Sequence, residues 1–298
     1  MRVFVTGASG WIGSATVDEL VKAGHDVVGL ARSDSSAAKV AAKGATVLRG
    51  DLDDLDSLRR GASDAEAVIH LANKHDFDNP EVSTRAERAA VETLTETLAG
   101  TDRPLVLASG VAGLAQGRPA VETDPSTAVG PDSMRGGTEN LTLEFADKGI
   151  RSVIARFAPT VHGIGDHGFV AFIAAAARRH GVSGYVGDGA NAWSAVHVSD
   201  AARLVRLGME NAAAGTIMHV IAEEAVSTKD IAEAIGAALD LPVTSVAPEN
   251  AMAHFGFIGR FWGWDGRASS AHTRELLNWT PTGPTLLADI KAGGYPGI

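Results

Sequence analysis

The chain has 298 residues, of which 45% are hydrophobic and 21% charged, and it carries a net charge of −10 without any cysteine. This length allows one large α/β domain or a domain with a smaller lobe. The acidic balance argues against nucleic acid or an anionic membrane as a partner, because both require a basic surface. The lack of cysteine excludes disulfides and thiolate chemistry and predicts a cytoplasmic location. No apolar stretch is long enough to span a bilayer.

The first forty residues predict a βαβ unit. A short apolar strand, Arg2 to Val5, leads into the spacing G-x-x-G-x-x-G, and the helix that follows ends at Gly24. Glycines in such a turn let the backbone approach a pyrophosphate, which the free N–H groups of the helix bind. The turn therefore predicts a dinucleotide site at Gly7, Ser9, Gly10, Trp11, Ile12 and Gly13. A glycine-rich turn without a ligand is the alternative.

The end of the second strand favours NADP(H) over NAD(H). An NAD site usually has an acidic residue there, which holds the ribose 2′-hydroxyl. In this chain the strand ends at Ala31 and is followed by Arg32 and Ser33. A guanidinium can grip a 2′-phosphate with two hydrogen bonds, and no carboxylate at the strand end repels it. The alternative is that Arg32 is an ordinary solvated arginine.

The strand and helix pattern predicts an α/β fold, a Rossmann-type doubly wound parallel sheet with a smaller C-terminal substrate lobe. Strands are predicted at about 2–5, 26–31, 45–48, 66–71, 104–108 and 152–156, with helical stretches between most of them. We assign residues 1–156 and about 193–223 to the dinucleotide-binding domain. Residues of about 157–192 and 224–298 form the substrate lobe.

Several motifs resemble those of the extended short-chain dehydrogenase/reductases, the NAD-dependent epimerase/dehydratase family. They are TGASGWIG, RGDLDD, VIHLAN, LVLASG, VHVSDAARLVRLGME and ELLNWTP, and they cover nearly the whole chain. The resemblance implies that Asp51 and Leu52 touch the adenine. It also implies that Leu71 and Ala72 line the cofactor, with Asn73 at the same strand end, and that Ser109 is the catalytic serine.

The resemblance also implies a Tyr-x-x-x-Lys pair, and the sequence departs from it. In the family the tyrosine donates the proton, and the lysine lowers its pKa and holds the nicotinamide ribose. Aligning Glu139 with the family's glutamate places Pro131 at the tyrosine position and Arg135 at the lysine position. The only tyrosines of the chain are Tyr185 and Tyr295. Arg135 could still hold the ribose, but an arginine stays charged and cannot shuttle a proton.

Four candidates remain for the proton transfer. They are Ser109, acting through water, His162, which titrates near neutrality, Tyr185 as a phenol donor, and the loop residues Lys74, His75 and Asp76. For His162, Tyr185 and the loop, the alternative is a purely structural role in core, lobe or solvent-facing loop. A metal site at His162, Asp166 and His167 has loose spacing, so we expect no metal.

The sequence predicts an NADP(H)-dependent oxidoreductase acting on a small, largely apolar carbonyl compound with a non-standard proton donor. Trp193, Trp262 and Trp264 form either a substrate pocket or lobe core. A non-catalytic NADP(H)-binding redox sensor is the alternative. Nucleotide-sugar epimerisation is a third reading, with Arg260 and Arg267 as candidate pyrophosphate clamps. The expected partners are a small-molecule substrate and a second copy of the chain, paired through helices near 80–99 and 133–148.

Overall fold

The computed structural model describes residues 1–74 and 79–295, and its centre is a seven-stranded parallel sheet. The strands are β1 (Arg2–Thr6), β2 (Asp26–Ala31), β3 (Thr46–Arg49), β4 (Ala67–His70), β5 (Pro104–Gly110), β6 (Arg151–Phe157) and, later in the chain, β10 (Thr216–Val220). Their order is β10-β6-β5-β4-β1-β2-β3, and every neighbouring pair is parallel. This is the doubly wound Rossmann-type arrangement, so the predicted fold class is confirmed.

Two smaller sheets build the C-terminal lobe. One contains β7 (Thr160–His162), β9 (Ala192–His197) and β11 (Glu223–Ser227), and the other contains β8 (Ser183–Val186) and β12 (Val243–Val246). Residues 193–197, which the sequence analysis assigned to the dinucleotide-binding domain, lie in β9 and pair with β7 and β11. The exact division into a domain and a lobe therefore stays a prediction.

Helices cover both faces of the main sheet and enclose the small lobe. They are α1 (Trp11–Lys22), α2 (Asp34–Ala41), α3 (Leu55–Ser63), α4 (Pro80–Leu98), α5 (Thr138–Glu144), α6 (Phe169–His180), α7 (Val198–Asn211), α8 (Thr228–Leu239), α9 (Ala251–Phe255), α10 (Gly259–Trp262), α11 (Ala271–Leu276) and α12 (Leu286–Lys291). Across residues 1–74 and 79–295, none of these helices is long and apolar enough to cross a membrane.

The alternation of side chains along β1 divides the core between the two faces of the sheet. Val3 packs with Val17 of α1 and Leu204 of α7 in one buried cluster. Phe4 points the other way and packs with Leu94 of α4 in a second cluster. Both faces of a parallel sheet are covered by helices, so its strands carry nearly continuous apolar runs. This packing fixes the carboxyl ends of β1, β4 and β5 side by side.

The predicted helix near 133–148 is wrong in its extent. The segment consists of a 3₁₀ turn over 134–137, the short helix α5 and another 3₁₀ turn over 146–148. Arg135, Gly136 and Gly137 have φ of 54°, 64° and 61°, and three left-handed residues in a row cannot continue a right-handed helix. The other helix expected to mediate dimerisation, near 80–99, is present as α4. Dimerisation itself stays a prediction.

Candidate active site

The glycine turn between β1 and α1 has no room for a side chain at two positions. Gly7 has φ of 69°, and a Cβ there would lie 2.8 Å from the backbone nitrogen of Ala72. A Cβ on Gly13 would lie 2.0 Å from the carbonyl oxygen of Gly7. Both positions therefore require glycine, the first for the turn and the second for the close packing of α1 against it.

The middle glycine of the motif faces open space at the start of α1. Gly10 is exposed and forms the N-cap, where no side chain caps the helix and the first turn has no acidic residue. Apart from its chain neighbours and the backbone of α1, the one described atom within 4 Å of a Cβ on Gly10 would be the carbonyl oxygen of Gly7, at 3.2 Å. Ser9 and Ile12 are half-buried beside this helix end. The open N-terminus fits a pyrophosphate, because free N–H groups and the helix dipole attract anions.

Trp11 connects the glycine turn to the loop that enters the small lobe. Its indole Nε1 donates to the carbonyl oxygen of Val161 at 2.8 Å, and its ring meets His167 edge-on at 5.8 Å. A Cβ on Gly163 would lie 3.2 Å from the Trp11 ring. The loop over 163–168 therefore lies directly beside the predicted cofactor turn.

The end of β2 presents a basic surface next to the N-terminus of α2. Arg32 and Ser33 are exposed, and the Ser33 hydroxyl accepts a hydrogen bond from the backbone nitrogen of Ser36, which caps α2. Arg49 at the end of β3 pairs with the fully exposed Asp34 at 2.8 Å. Two guanidinium groups and a helix N-terminus thus lie at the edge where the adenosine ribose binds in this fold.

The loop after β3 forms a tight acidic turn. The Asp51 carboxylate accepts a hydrogen bond from the backbone nitrogen of Asp53 at 3.2 Å, and Leu52 is buried. Lys74, one of the candidate proton donors, donates to Asp53 at 2.6 Å. The ammonium of Lys74 is therefore held on the adenine side of the cleft by a carboxylate. The neighbouring candidates His75 and Asp76 lie outside the described residues.

Arg135 is held by a buried carboxylate at the carboxyl end of β4. Glu87 of α4 is 1% exposed and accepts hydrogen bonds from Arg135 and from the side-chain amide of Asn73. The Ala72 backbone nitrogen donates to the Thr6 hydroxyl at 3.3 Å, which places Leu71 and Ala72 above β1. The charge of the Arg135 guanidinium is thus balanced by the Glu87 carboxylate.

Two buried nitrogen atoms beside this pair have no hydrogen-bond partner among residues 1–74 and 79–295. They are Nε of Arg135 and Nε2 of His70. Burial, and secondarily the charge of Arg135, lower the pKa of His70 from 6.5 to about 3, so its ring is neutral. Orphaned polar groups are rare in protein interiors. Both nitrogen atoms lie near the carboxyl ends of the strands, where they are placed to bond the hydroxyl groups of a nicotinamide ribose.

Ser109 lies at the carboxyl end of β5 and is bonded to a buried carboxylate. Its hydroxyl donates to Oε2 of Glu139 at 2.5 Å. The other oxygen, Oε1, accepts from Nη2 of Arg156 at 2.6 Å and from Nε at 3.1 Å. Arg156 is completely buried in β6, directly opposite Ser109 in the sheet register. The predicted catalytic serine is therefore part of a three-residue polar chain.

His162 lies in a separate buried cluster below the loop at Trp11. Its Nδ1 donates to Asp289 at 2.6 Å, and its Nε2 is 3.9 Å from Glu223. The side chain has no exposed surface, and burial lowers its pKa although Asp289 opposes the change. The Tyr295 hydroxyl donates to Asp166 at 2.9 Å in the same region. No group of three or more histidine, aspartate and glutamate residues in the described chain is arranged to hold a metal ion.

The remaining candidates belong to the small lobe. Tyr185 lies in β8, where the ammonium of Lys229 is 5.9 Å from its ring centre. Trp193 and Trp262 are buried and meet edge-on at 4.9 Å, whereas Trp264 is 55% exposed. The two arginines proposed as clamps differ in their contacts: Arg260 is exposed, and Arg267 forms a 2.6 Å ion pair with Asp265.

Three residues of the site were not identified from the sequence, and a fourth was used only to align the segment around it. Glu87 and His70 were not considered, and Glu139 served only to align the segment around it. Arg156 could have been recognised from the sequence as half of a buried ion pair, since a charged residue within the apolar strand VIARF must have a buried partner. The sequence does not reveal which carboxylate that partner is.

The sheet order, the glycine turn and the polar groups at the strand ends define the class of nicotinamide-dinucleotide-binding proteins. The chain belongs to the NAD dependent epimerase/dehydratase family, whose sequence model matches residues 3–222. The family is NAD(P)-dependent, and its activities are of the oxidoreductase and epimerase type.

Relatives extend the similarity over the full length. Uncharacterized proteins of Schizosaccharomyces pombe and Saccharomyces cerevisiae are each 44% identical, covering 99% and 98% of this chain and 100% and 98% of their own length. A 4-hydroxy-2-methyl-3-oxo-4-farnesyl-3,4-dihydroquinoline-1-oxide ketoreductase of Stigmatella aurantiaca is 32% identical over 52% of this chain and 49% of its own. The dTDP-glucose 4,6-dehydratase DesIV of Streptomyces venezuelae, solved with NAD and TYD bound, superposes with a TM-score of 0.80 at 20% identity, covering 99% of this chain and 97% of its own.

Proposed function

We propose that this protein is an NADP(H)-dependent oxidoreductase that interconverts a small, largely apolar carbonyl compound and its alcohol. The observation that carries the proposal is that the open N-terminus of α1 and the Ser109 hydroxyl lie at the same edge of the main sheet. The helix follows the carboxyl end of β1, and Ser109 lies at the carboxyl end of β5. Only β4 lies between these two parallel strands. Dinucleotides bind across this edge in doubly wound folds. The ketoreductase relative from Stigmatella aurantiaca supports the same type of reaction.

The preference for NADP(H) over NAD(H) rests on the charges near β2. Arg32 is exposed at the strand end, and within the described part of the chain the ion pair of Arg49 is with the solvent-exposed Asp34. A 2′-phosphate can compete with such an exposed carboxylate, because surface ion pairs contribute little free energy. A guanidinium fork bonds a phosphate through two parallel N–H groups.

The apolar character of the substrate is supported by a group of aromatic side chains at the start of α6. We call Phe169, Phe257, Phe261 and Trp264 the aromatic wall. Phe169 contacts Phe257 at 6.4 Å and Phe261 at 6.3 Å, and Phe261 contacts the exposed Trp264 at 5.2 Å. The wall begins two residues after His167, whose ring contacts Trp11 in the cofactor turn. Aromatic groups next to a cofactor cleft favour flat or apolar ligands.

Among the candidate proton donors, we propose Ser109 as the group that touches the substrate oxygen. His162 is fully buried and bonded to Asp289, so a substrate cannot reach it without a rearrangement. Tyr185 lies against Lys229 within the small lobe. Ser109 is half-buried at the strand end, with its oxygen free to accept a further hydrogen bond. A cytoplasmic location and a homodimer remain part of the proposal.

The test is a turnover assay with a matched pair of serine variants. NADPH oxidation is followed in the presence of phenylacetone or ethyl acetoacetate, both small and largely apolar ketones. We expect Ser109→Ala to lower the rate about 100-fold, because it removes the hydrogen bond to the reacting oxygen. Ser63→Ala, at an exposed site at the end of α3, serves as the control and keeps the wild-type rate. Tight NADPH binding without turnover of any ketone would favour the redox-sensor function instead.

A further inference from the structure

The Ser109 hydroxyl already uses its single proton in a hydrogen bond within the protein. Its proton points to Oε2 of Glu139, because a carboxylate oxygen bonded at 2.5 Å acts as the acceptor. Among residues 1–74 and 79–295 no donor bonds the serine oxygen, so its lone pairs are available to a substrate. A substrate hydroxyl placed there would donate to Ser109, and Ser109 would donate to Glu139. The three oxygen atoms would then form one continuous hydrogen-bonded line.

Arg156 fixes the orientation of the Glu139 carboxylate. The guanidinium binds Oε1 through Nη2 and Nε, and its Nη1 lies 3.4 Å from the carbonyl oxygen of Glu122. Arg156 has no exposed surface, and Glu139 is 6% exposed. Charge-assisted bonds in such a buried place are strong and directional. Oε2 is therefore the carboxylate oxygen directed toward Ser109.

The neighbouring histidine does not compete for this proton. Nδ1 of His219 lies 2.8 Å from the carbonyl oxygen of Ser269, an atom that can only accept, so Nδ1 carries the ring hydrogen. Burial lowers the pKa of His219, which keeps the ring neutral and leaves its Nε2 to accept from Arg156. Glu139 is thus the group of this network that can take up or release a proton toward Ser109.

We propose that Ser109 and Glu139 form a proton relay that performs the acid–base step of this enzyme. During alcohol oxidation, the substrate O–H proton moves to the Ser109 oxygen while the Ser109 proton moves to Oε2 of Glu139. The C–H hydride leaves to an oxidised nicotinamide cofactor, and the substrate becomes a carbonyl. In reduction every transfer runs in reverse: a proton taken up from water by Glu139 passes through Ser109 to the carbonyl oxygen, while the reduced cofactor supplies the hydride to the carbonyl carbon. The relay rests on the proposed oxidoreductase function.

A purely structural role for Glu139 predicts a different response to substrate chemistry. If the carboxylate only neutralises Arg156, its loss should slow all substrates by a similar factor. If it supplies the proton, its loss should matter most when the product alkoxide is strongly basic. Ethyl acetoacetate and ethyl trifluoroacetoacetate form a suitable pair, because fluorine stabilises the alkoxide and leaves the size of the molecule nearly unchanged.

The experiment compares wild type, Glu139→Gln and Ser109→Ala with NADPH and each ester. Glutamine keeps the shape of Glu139 and can still accept from Arg156 through its amide oxygen. Its amide nitrogen donates to Ser109 instead of accepting from it, and it cannot carry the proton. We expect Glu139→Gln to lower kcat about 10²–10⁴-fold on ethyl acetoacetate and less than about tenfold on the fluorinated ester. Thermal denaturation confirms that the variant is folded. Equal losses on both esters would overturn the relay and leave the oxidoreductase function standing.

A second readout follows the proton in a single oxidation step and does not depend on the steady-state rate. Infrared difference spectra are recorded when the alcohol product of the fluorinated ester is added to the protein saturated with NADP⁺. The relay predicts a new protonated-carboxyl band in wild type, which is absent in Glu139→Gln and in Ser109→Ala. Saturation with NADP⁺, verified by calorimetry, without such a band would contradict the relay. Failure to bind NADP⁺ at all would refute the proposed function, and the relay would fall with it.

Discussion

The glycine turn allows a paired test in which two Gly→Ala substitutions both weaken cofactor binding but differ in their effect on stability. At Gly13 a Cβ would lie 2.0 Å from the carbonyl oxygen and 2.7 Å from the carbonyl carbon of Gly7. Both atoms belong to the backbone, so the turn itself must move. Overpacking of this kind costs about 1–3 kcal/mol. Replacing a helical glycine by alanine recovers roughly 0.5–1 kcal/mol, which leaves a net loss of stability.

The same substitution at Gly10 meets little resistance within the protein. Its φ of −78° suits any residue, and a Cβ would have one neighbour, at 3.2 Å. The added methyl group instead occupies the space through which a pyrophosphate approaches the helix N-terminus. We therefore expect Gly10→Ala to change the free energy of unfolding by less than about 1 kcal/mol. Its affinity for NADPH should fall by a factor of about 100, the equivalent of roughly 2.7 kcal/mol.

Thermal denaturation and calorimetric titration with NADPH distinguish the two variants. For a chain of this size, 1 kcal/mol corresponds to a change in Tm of about 2–4 °C. Gly13→Ala should lower Tm measurably and weaken NADPH binding, whereas Gly10→Ala should weaken binding with Tm nearly unchanged. A Gly10→Ala protein with wild-type affinity would refute the assignment of this helix end to the pyrophosphate.

Three further substitutions test the charges and the buried network. Arg32→Ala should raise the Kd for NADPH about 10–100-fold and that for NADH less than threefold; equal losses in titrations with both cofactors would sink the NADP(H) assignment. Arg156→Met leaves the buried Glu139 carboxylate unpaired and should cost about 3–5 kcal/mol in urea denaturation, part of which the double variant with Glu139→Gln recovers. His70 binds a proton more readily in the unfolded chain, because burial lowers the pKa of its ring in the folded protein from 6.5 to about 3. The contribution of His70 to the free energy of unfolding therefore decreases as the pH falls below about 6.5. His70→Asn should flatten this decline, by up to about 4–5 kcal/mol at pH 3, and an unchanged pH profile of denaturation would contradict the assignment.

The parts of this structure that were predictable from the sequence depend on local patterns. The βαβ unit follows from an apolar strand, three glycines and a helix within forty residues, and the first six predicted strands overlap β1 to β6. Ser109 was placed at a strand end because it follows the apolar run LVLA. Such signals are contained within a few neighbouring residues, and tertiary packing preserves them.

The parts that could not be predicted depend on partners distant in the sequence. Glu139 is 30 residues from Ser109, and Glu87 is 48 residues from Arg135. Only the folded sheet brings these pairs together. The expected helix over 133–148 failed for a local reason, because Arg135 and the two glycines after it adopt left-handed conformations. A glycine pair marks such a break, but the resemblance to a helical segment of the family outweighed that signal.

The most direct test of the proposed function is the transfer of deuterium from the cofactor. The protein is incubated with a small-molecule extract and NADPH deuterated at nicotinamide C4, with each face of the ring labelled in a separate experiment. Mass spectrometry then identifies any compound that gains deuterium. An oxidoreductase transfers label from one face only, to a product that Ser109→Ala forms about 100-fold more slowly. Tight binding of NADPH without any labelled product, from either face, would contradict the assignment of catalysis to this site.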